Sequence, residues 1–224
     1  MSLTKKETEL AKLVVEWLKE QHWEVYQEVQ FGFGGGVADI VAVRHGIMWI
    51  IECKTAYGLA VLEQAYRWPT HYRSIAVPWA RTQRNYRVAR DYYQVGVLEV
   101  DSNIFSHNGS VDEVIYPKLF VRHHDSVKRY LNLLTELHKT FALAGSANGD
   151  HLTPYKNTMI DVRKIIEKNP GCTIGFVFEQ LGVMHYASEA SFKGNILTAL
   201  ESFEPWCVVD KSSKPCKLFI EGRI

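Results

Sequence analysis

The chain has 224 residues, about one and a half times a typical domain of ~150 residues, so one or two domains are expected and not three. Hydrophobic residues make up 46% and charged residues 23%, which argues against wholesale disorder, collagen and coiled coil. Lys plus Arg (26) nearly balance Asp plus Glu (25) for a net charge of +1, so any nucleic-acid binding has to be local.

The longest aliphatic run, residues 47–51 (IMWII), is far shorter than the ~20 apolar residues of a membrane span. The amino-terminal MSLTKKETEL turns amphipathic and acidic where a secretory signal would need an apolar stretch, so the protein is expected in the cytoplasm, away from membranes. Cys53, Cys172, Cys207 and Cys216 form no CxxC pair. They are expected to be reduced and mostly buried.

In chain order, residues 4–21 read as an amphipathic helix, with Leu10, Leu13, Val14, Trp17 and Leu18 on one face. Three strands follow: 23–29, then 37–44 after the glycine-rich turn of Gly32, Gly34, Gly35 and Gly36, then 47–54 after His45-Gly46. The tight connections predict an antiparallel meander. Residues 59–68 read as a helix stopped by Pro69, 74–77 as a buried strand, 83–94 as a helix and 95–100 as a strand. The expected class is α/β, with helices covering a central mixed sheet. Residues 101–117 are turn-rich, and 118–143 carry a helical pattern around Val127, Leu131, Leu134 and Leu137.

Residues 144–153 (AGSANGDHLT) read as a linker between a first domain, 1–143, and a second, 154–224. The second domain is expected to contain helices at 154–168, 173–181 and 188–203, then strands at 206–210 and 216–220. Three helices and a β-hairpin is the order of a winged helix-turn-helix.

Chemistry concentrates on two strands. Asp39 lies on the second, and Glu52-Cys53-Lys54 ends the third. Side chains on a strand alternate, so Glu52 and Lys54 share a face that Cys53 does not. Pairing through the Arg44–Gly46 turn brings Asp39 opposite Glu52. Two carboxylates with a backbone carbonyl, here that of Cys53, form a hard oxygen site of the kind that holds Mg²⁺, with Mn²⁺ as a substitute. Such an ion activates water and neutralises charge on a phosphate, while Lys54 orients or deprotonates that water. All three charges interrupt apolar strands, which a solvated strand edge does not explain.

The segments Val37-Ala38-Asp39-Ile40-Val41 and Ile50-Ile51-Glu52-Cys53-Lys54 resemble the PD-(D/E)xK nuclease superfamily. The resemblance covers roughly the first 100 residues, and the 13-residue spacing from Asp39 to Glu52 is similar to that of Holliday-junction resolvases and restriction-like nucleases. Ala38 stands where the name-giving proline would be. The resemblance implies a restriction-endonuclease-like core and a Mg²⁺-dependent DNA endonuclease of restriction, phage, mobile-element or resolvase type. It also implies a helix-1 glutamate at the site. An origin in the amino-terminal half of that helix favours Glu9 over Glu16, which lies a further ~10 Å along. By the same resemblance Gln64 is expected to touch substrate or a metal-bound water. Tyr66 and Trp68 read as core and interface.

Arg81, Arg84, Arg87 and Arg90 recur every three residues, either a phosphate-contacting stripe or a solvated helix face. In the second domain Lys193, Lys211 and Lys214 are the candidate DNA contacts, with protein docking as the alternative. His107, His123, His124 and His138 make no ligand pattern with cysteines. The leading expectation is a DNA endonuclease, as a homodimer or with a protein partner at the winged helix. A non-catalytic DNA-binding or regulatory protein on the same scaffold is the alternative, and RNA is a substrate the same chemistry allows.

Overall fold

The computed structural model describes residues 3–31, 36–80, 86–101, 110–145 and 152–222, with the backbone alone for 3–6. Gly32, Gly34, Gly35, Arg81, Arg84 and His107 lie outside the described residues. The chain divides into two compact units, Met1–Leu152 and Thr153–Ile224.

The first unit is a six-stranded mixed sheet in chain order β1 to β6 with helices on its faces. Strands β1 (Glu24–Gln30), β2 (Val37–Arg44) and β3 (Ile47–Cys53) form an antiparallel meander. The β2–β3 connection turns on His45 and Gly46, at φ 52° and 76°, the left-handed pair that a two-residue hairpin needs. Strands β4 (Tyr72–Pro78) and β5 (Gly96–Asp101) continue the sheet parallel to β3, and β6 (Ser110–Ile115) closes it antiparallel to β5.

Helix α1 (Leu3–Glu20) covers one face. Leu10, Ala11, Val14, Val15 and Leu18 are buried there against Ile40, Ala42, Trp49 and Ile51, each large side chain contributing about 1.5–3 kcal/mol of transfer free energy. The other face carries α2 (Leu59–Tyr66) and α3 (His124–Leu131). Val127 of α3 packs with Met48, Ile50 and Trp68.

Several sequence expectations are corrected. Strand β6 lies within 101–117, expected to be turns only; its burial alternates at the sheet edge, with Asp112 and Val114 outward, so its apolar content is too low to signal a strand. The helix expected at 83–94 is a π-helical turn, Val88–Tyr93, in its described part. The helix expected at 118–143 is α3 flanked by short 3-10 turns, Val121–His123 and Glu136–Lys139. The proposed linker is tied down at both described ends. Ala144 and Leu152 are buried, the Ala144 and Gly145 N–H groups donate to Gln27 and Glu28, and Leu152 bridges to Val29.

The second unit packs α4 (Pro154–Lys168), α5 (Ile174–Leu181), α6 (Glu189–Ser202) and the hairpin β7–β8 (Cys207–Asp210, Lys217–Ile220). Its core is Met159, Val162, Ile166, Val177, Phe192, Ile196, Leu200 and Leu218. Thr153, Thr173 and Ser188 cap the three helices by accepting N–H bonds of 3.0, 3.2 and 3.2 Å, each worth about 1 kcal/mol. Cys53 is buried, while the other three thiols are half-buried, and none is in a disulfide. Among the described residues no helix is long and apolar enough to cross a membrane.

Candidate active site

The near-continuous apolar runs of β2 and β3 force both faces of the strands into the interior, and their charges with them. The register that pairs Ile40 with Ile51 and Val41 with Ile50 continues to Asp39 and Glu52. Asp39 is 8% exposed and Glu52 0%. Asp39 Oδ2 accepts the Cys53 N–H at 2.7 Å, which fixes one carboxylate against the end of β3. Glu52 is held from α2 and the residues just past its end: Gln64 Nε2 donates to Oε2 and Trp68 Nε1 to Oε1, both at 2.5 Å.

Burial pushes the Glu52 carboxyl well above the ordinary range, with the neighbouring Asp39 charge adding to it. Asp39 is also raised, burial outweighing the opposing pull of Lys54 and the Cys53 N–H. Each of the two buried carboxylates disfavours ionisation of the other, and a nearby cation relieves that penalty.

The ammonium of Lys54 stands 3.9 Å from Asp39 Oδ2 and 3.6 Å from Glu7 Oε2. Burial works against its charge, but Asp39, Glu7 and Glu52 together hold its pKa above the usual value. Lys54 is therefore charged at neutral pH with these carboxylates around it.

Glu7 is the helix-1 residue at this site, and the expectation of Glu9 is corrected. Glu7 Oε1 also accepts the Thr55 N–H at 3.4 Å. Glu9, two residues on and so roughly 200° around the helix, is exposed and lines a separate cleft of about 550 Å³ with Lys12, Val15, Lys19 and Leu143. Gly145 anchors the first turns of α1. Its carbonyl accepts Thr8 Oγ1 at 3.3 Å, its N–H donates to the buried Glu28 at 2.7 Å, and a Cβ there would come within 3.0 Å of the Glu7 backbone. Glu28 has φ 49° and lies in the β1–β2 register opposite Asp39.

Two clefts that share Gln64 flank the buried carboxylates, which line neither. One, of about 280 Å³, is lined by Glu7, Lys54, Thr55, Tyr57, Gly58 and Gln64. The other, of about 270 Å³, is lined by Gly36, Val37, Gln64, Arg67, Trp68 and Tyr130.

Asp39, Glu52, Lys54 and Gln64 are thus brought together. The Cys53 thiol lies on the α1 face, and burial raises its pKa, leaving only its backbone carbonyl as an oxygen donor. Among the described residues no group of three or more His, Cys, Asp or Glu side chains is placed to hold a metal ion by itself. Trp68, assigned to the core by its apolar neighbours, is also a donor to Glu52. The signal for it was the helix expected at 59–68, on which Gln64 and Trp68 would be four residues apart; in the structure the helix ends at Tyr66 and Trp68 lies just beyond it.

The basic candidates fare differently. Arg90 lies against Asp91, with contacts of 2.7 and 3.1 Å, and the π-helical turn that contains it breaks the α-helical repeat on which an arginine stripe depends. Arg87 is exposed. In the second unit Lys193 is paired with Glu189 at 2.5 Å and Lys211 with Glu201 at 3.0 Å. Lys214 is exposed in the turn between β7 and β8.

Compared with protein-family models, with curated proteins and with solved structures, the chain matches none. The functional reading rests on the site itself.

Proposed function

We propose that the Met1–Leu152 unit is a Mg²⁺-dependent endonuclease that hydrolyses DNA phosphodiester bonds on a PD-(D/E)xK, restriction-endonuclease-like scaffold, and that the second unit is a winged-helix module. The observation that carries this reading is the buried Asp39–Glu52 pair facing Lys54 and Glu7 at the mouth of a cleft. The pair has hard oxygen donors and too little positive charge around it, which suits a divalent cation. Asp39 and Glu52 would hold that ion with the Cys53 carbonyl. Mg²⁺ or Mn²⁺ would supply charge neutralisation at the phosphate and a lowered pKa for water.

The chain's own residues do the rest. Gln64 and Trp68 fix the Glu52 carboxyl in one rotamer, and each of its oxygens keeps a further lone pair. Lys54, held charged by three carboxylates, donates to a water or a phosphate oxygen and positions it. Glu7 holds the Lys54 ammonium over Asp39.

A second reading is a non-catalytic DNA-binding or regulatory protein. It is favoured by the same Gln64 and Trp68 bonds, which make Glu52 a polar staple between β3 and α2. Incubation with supercoiled plasmid and Mg²⁺ or Mn²⁺ separates the two. Nicking or linearisation that EDTA and Lys54→Ala abolish supports the nuclease. No cleavage of plasmid, linear, branched or single-stranded DNA by the wild type supports the second reading.

A further inference from the structure

Between Lys118 and Arg129 the chain carries four Lys or Arg residues (Lys118, Arg122, Lys128, Arg129) against one acid, Asp125. That segment alone has a formal charge of +3, in a chain whose total is +1. All four side chains are exposed. None is paired with a carboxylate among the described residues. Their partners are the Phe120 ring, with Arg122 at 5.4 Å and Lys118 at 5.9 Å, and the Ser126 hydroxyl, which accepts from Arg129 at 3.4 Å. Elsewhere Lys12, Arg67, Arg90, Lys193 and Lys211 each face a carboxylate within 4.0 Å.

A fifth cation lies beneath. Arg73, 3% exposed, stacks on the inner side of Phe120 at 4.2 Å. Its guanidinium donates only to the backbone carbonyls of Tyr66 and Tyr93, at 2.5 and 3.3 Å, and its Nε has no partner. Burial lowers the His123 pKa, and Arg122 and Arg73 lower it further, as a concentrated positive potential does.

This patch is continuous with the candidate site. Tyr130, at the end of α3, stacks on Phe31 at 4.1 Å, and Phe31 meets Trp68 edge-on at 5.7 Å. Trp68 holds Glu52. The cleft lined by Gln64, Arg67, Trp68 and Tyr130 reaches α3, in which Lys128 and Arg129 directly precede Tyr130.

We infer that α3 and the loop before it, through Lys118, Arg122, Lys128 and Arg129, form the phosphate-backbone contact surface that leads a nucleic-acid duplex to the cleft lined by Gln64 and Trp68, the two side chains that hold Glu52. The inference rests on the proposed reading of that cleft as a nucleic-acid site. It moves the contact surface away from the Arg81–Arg90 segment and away from the second unit. Exposed cations without protein acids lose little on meeting phosphates, and each contact releases condensed counterions from the duplex. Contacts of this kind fix the duplex in place and carry no sequence information.

The test is fluorescence anisotropy of a labelled DNA duplex with the full chain in EDTA, across a salt series, with plasmid cleavage in Mg²⁺ measured separately. For a variant combining Lys118→Ala, Arg122→Ala, Lys128→Ala and Arg129→Ala, affinity is expected to fall by about tenfold or more at low salt. Its slope of log K against log salt becomes shallower by about 0.9 for each lost contact. Lys128→Arg with Arg129→Lys keeps the wild-type slope, and so does Lys12→Ala with Lys164→Ala, whose charges are already paired. An unchanged slope in the fourfold variant overturns the inference while leaving metal-dependent cleavage, and so the catalytic reading, intact. Tighter binding of polyglutamate than of duplex also overturns it, in favour of an acidic protein partner. Duplex binding that depends on the four residues in a protein that never cuts DNA supports the inference and removes the catalytic reading. A wild type that binds no duplex removes the inference.

Discussion

Trp68 donates its indole N–H to Glu52 Oε1 at 2.5 Å, four residues beyond Gln64, which donates to Oε2 at the same distance. A carboxyl with no solvent exposure thereby has both oxygens satisfied, one from α2 and one from the segment just past its end. Burial of an acid at the end of β3 is tolerable only because α2 and the residues that follow it supply these donors. The pair links the packing of α2 to the geometry of the candidate site.

Replacing Trp68 by Phe keeps a ring against Phe31 and removes the donor. The expected loss is about 1–3 kcal/mol, the cost of leaving a buried acceptor unpaired, read as a lower urea midpoint. A change under about 0.5 kcal/mol, the size typical of a surface substitution, would mean that the bond carries none of the stability assigned to it. Cleavage, if present, falls as well, because Glu52 is no longer held in one rotamer.

Glu7 and Glu9 separate by function. Glu7→Gln removes a charge 3.6 Å from Lys54 and is expected to lower metal-dependent plasmid nicking by on the order of tenfold, in the range of a lost positioning contact. Glu9→Gln, in its separate cleft, leaves the rate unchanged. Equal rates for both variants would remove Glu7 from the site.

Gly145→Ala tests the anchor of α1. With φ at 74° and the Glu7 backbone 3.0 Å from the new Cβ, the substitution combines left-handed strain with a collision against main chain. It is expected to cost about 1–3 kcal/mol in thermal or urea unfolding, and to reduce nicking through displacement of Glu7.

His138 makes stability depend on pH. Its Nδ1 accepts the Thr135 N–H at 3.1 Å, a role open only to the neutral ring, and burial lowers its pKa below the ordinary value. The unfolded chain takes up this proton near pH ~6.5, the folded chain only at lower pH. Between those values the unfolded state binds more protons, so the contribution of His138 is lost as pH falls through about 6.5 towards the folded pKa. Urea midpoints at neutral and mildly acidic pH should differ less in His138→Asn than in the wild type, since the amide oxygen accepts the same N–H without titrating. An equal difference in both proteins would exclude His138 as a source of the acid sensitivity.

Local patterns in the sequence determined much of this architecture. The near-continuous apolar runs of β2 and β3, with His45-Gly46 between them, specify a hairpin whose register places Asp39 against Glu52, because a two-residue turn fixes which residues pair. The Thr153, Thr173 and Ser188 caps and the apolar spacing of α4 to α6 act within a few residues and were equally legible. The tertiary structure alone decided the rest. Glu7, Glu9 and Glu16 are alike in local sequence, and only the crossing of α1 over the sheet brings Glu7 to Lys54. Trp68 reads as core until α2 is docked on β3 and its N–H meets Glu52. Strand β6 exists through pairing with β5, which supplies the hydrogen bonds that its mixed side chains do not announce. The cations of 118–129 become a single surface, continuous with the cleft, only when Phe31, Trp68 and Tyr130 stack. Propensity and periodicity act along the chain, whereas the choice of which charged residue meets which depends on how separate elements pack, and that is settled by burying their apolar faces together.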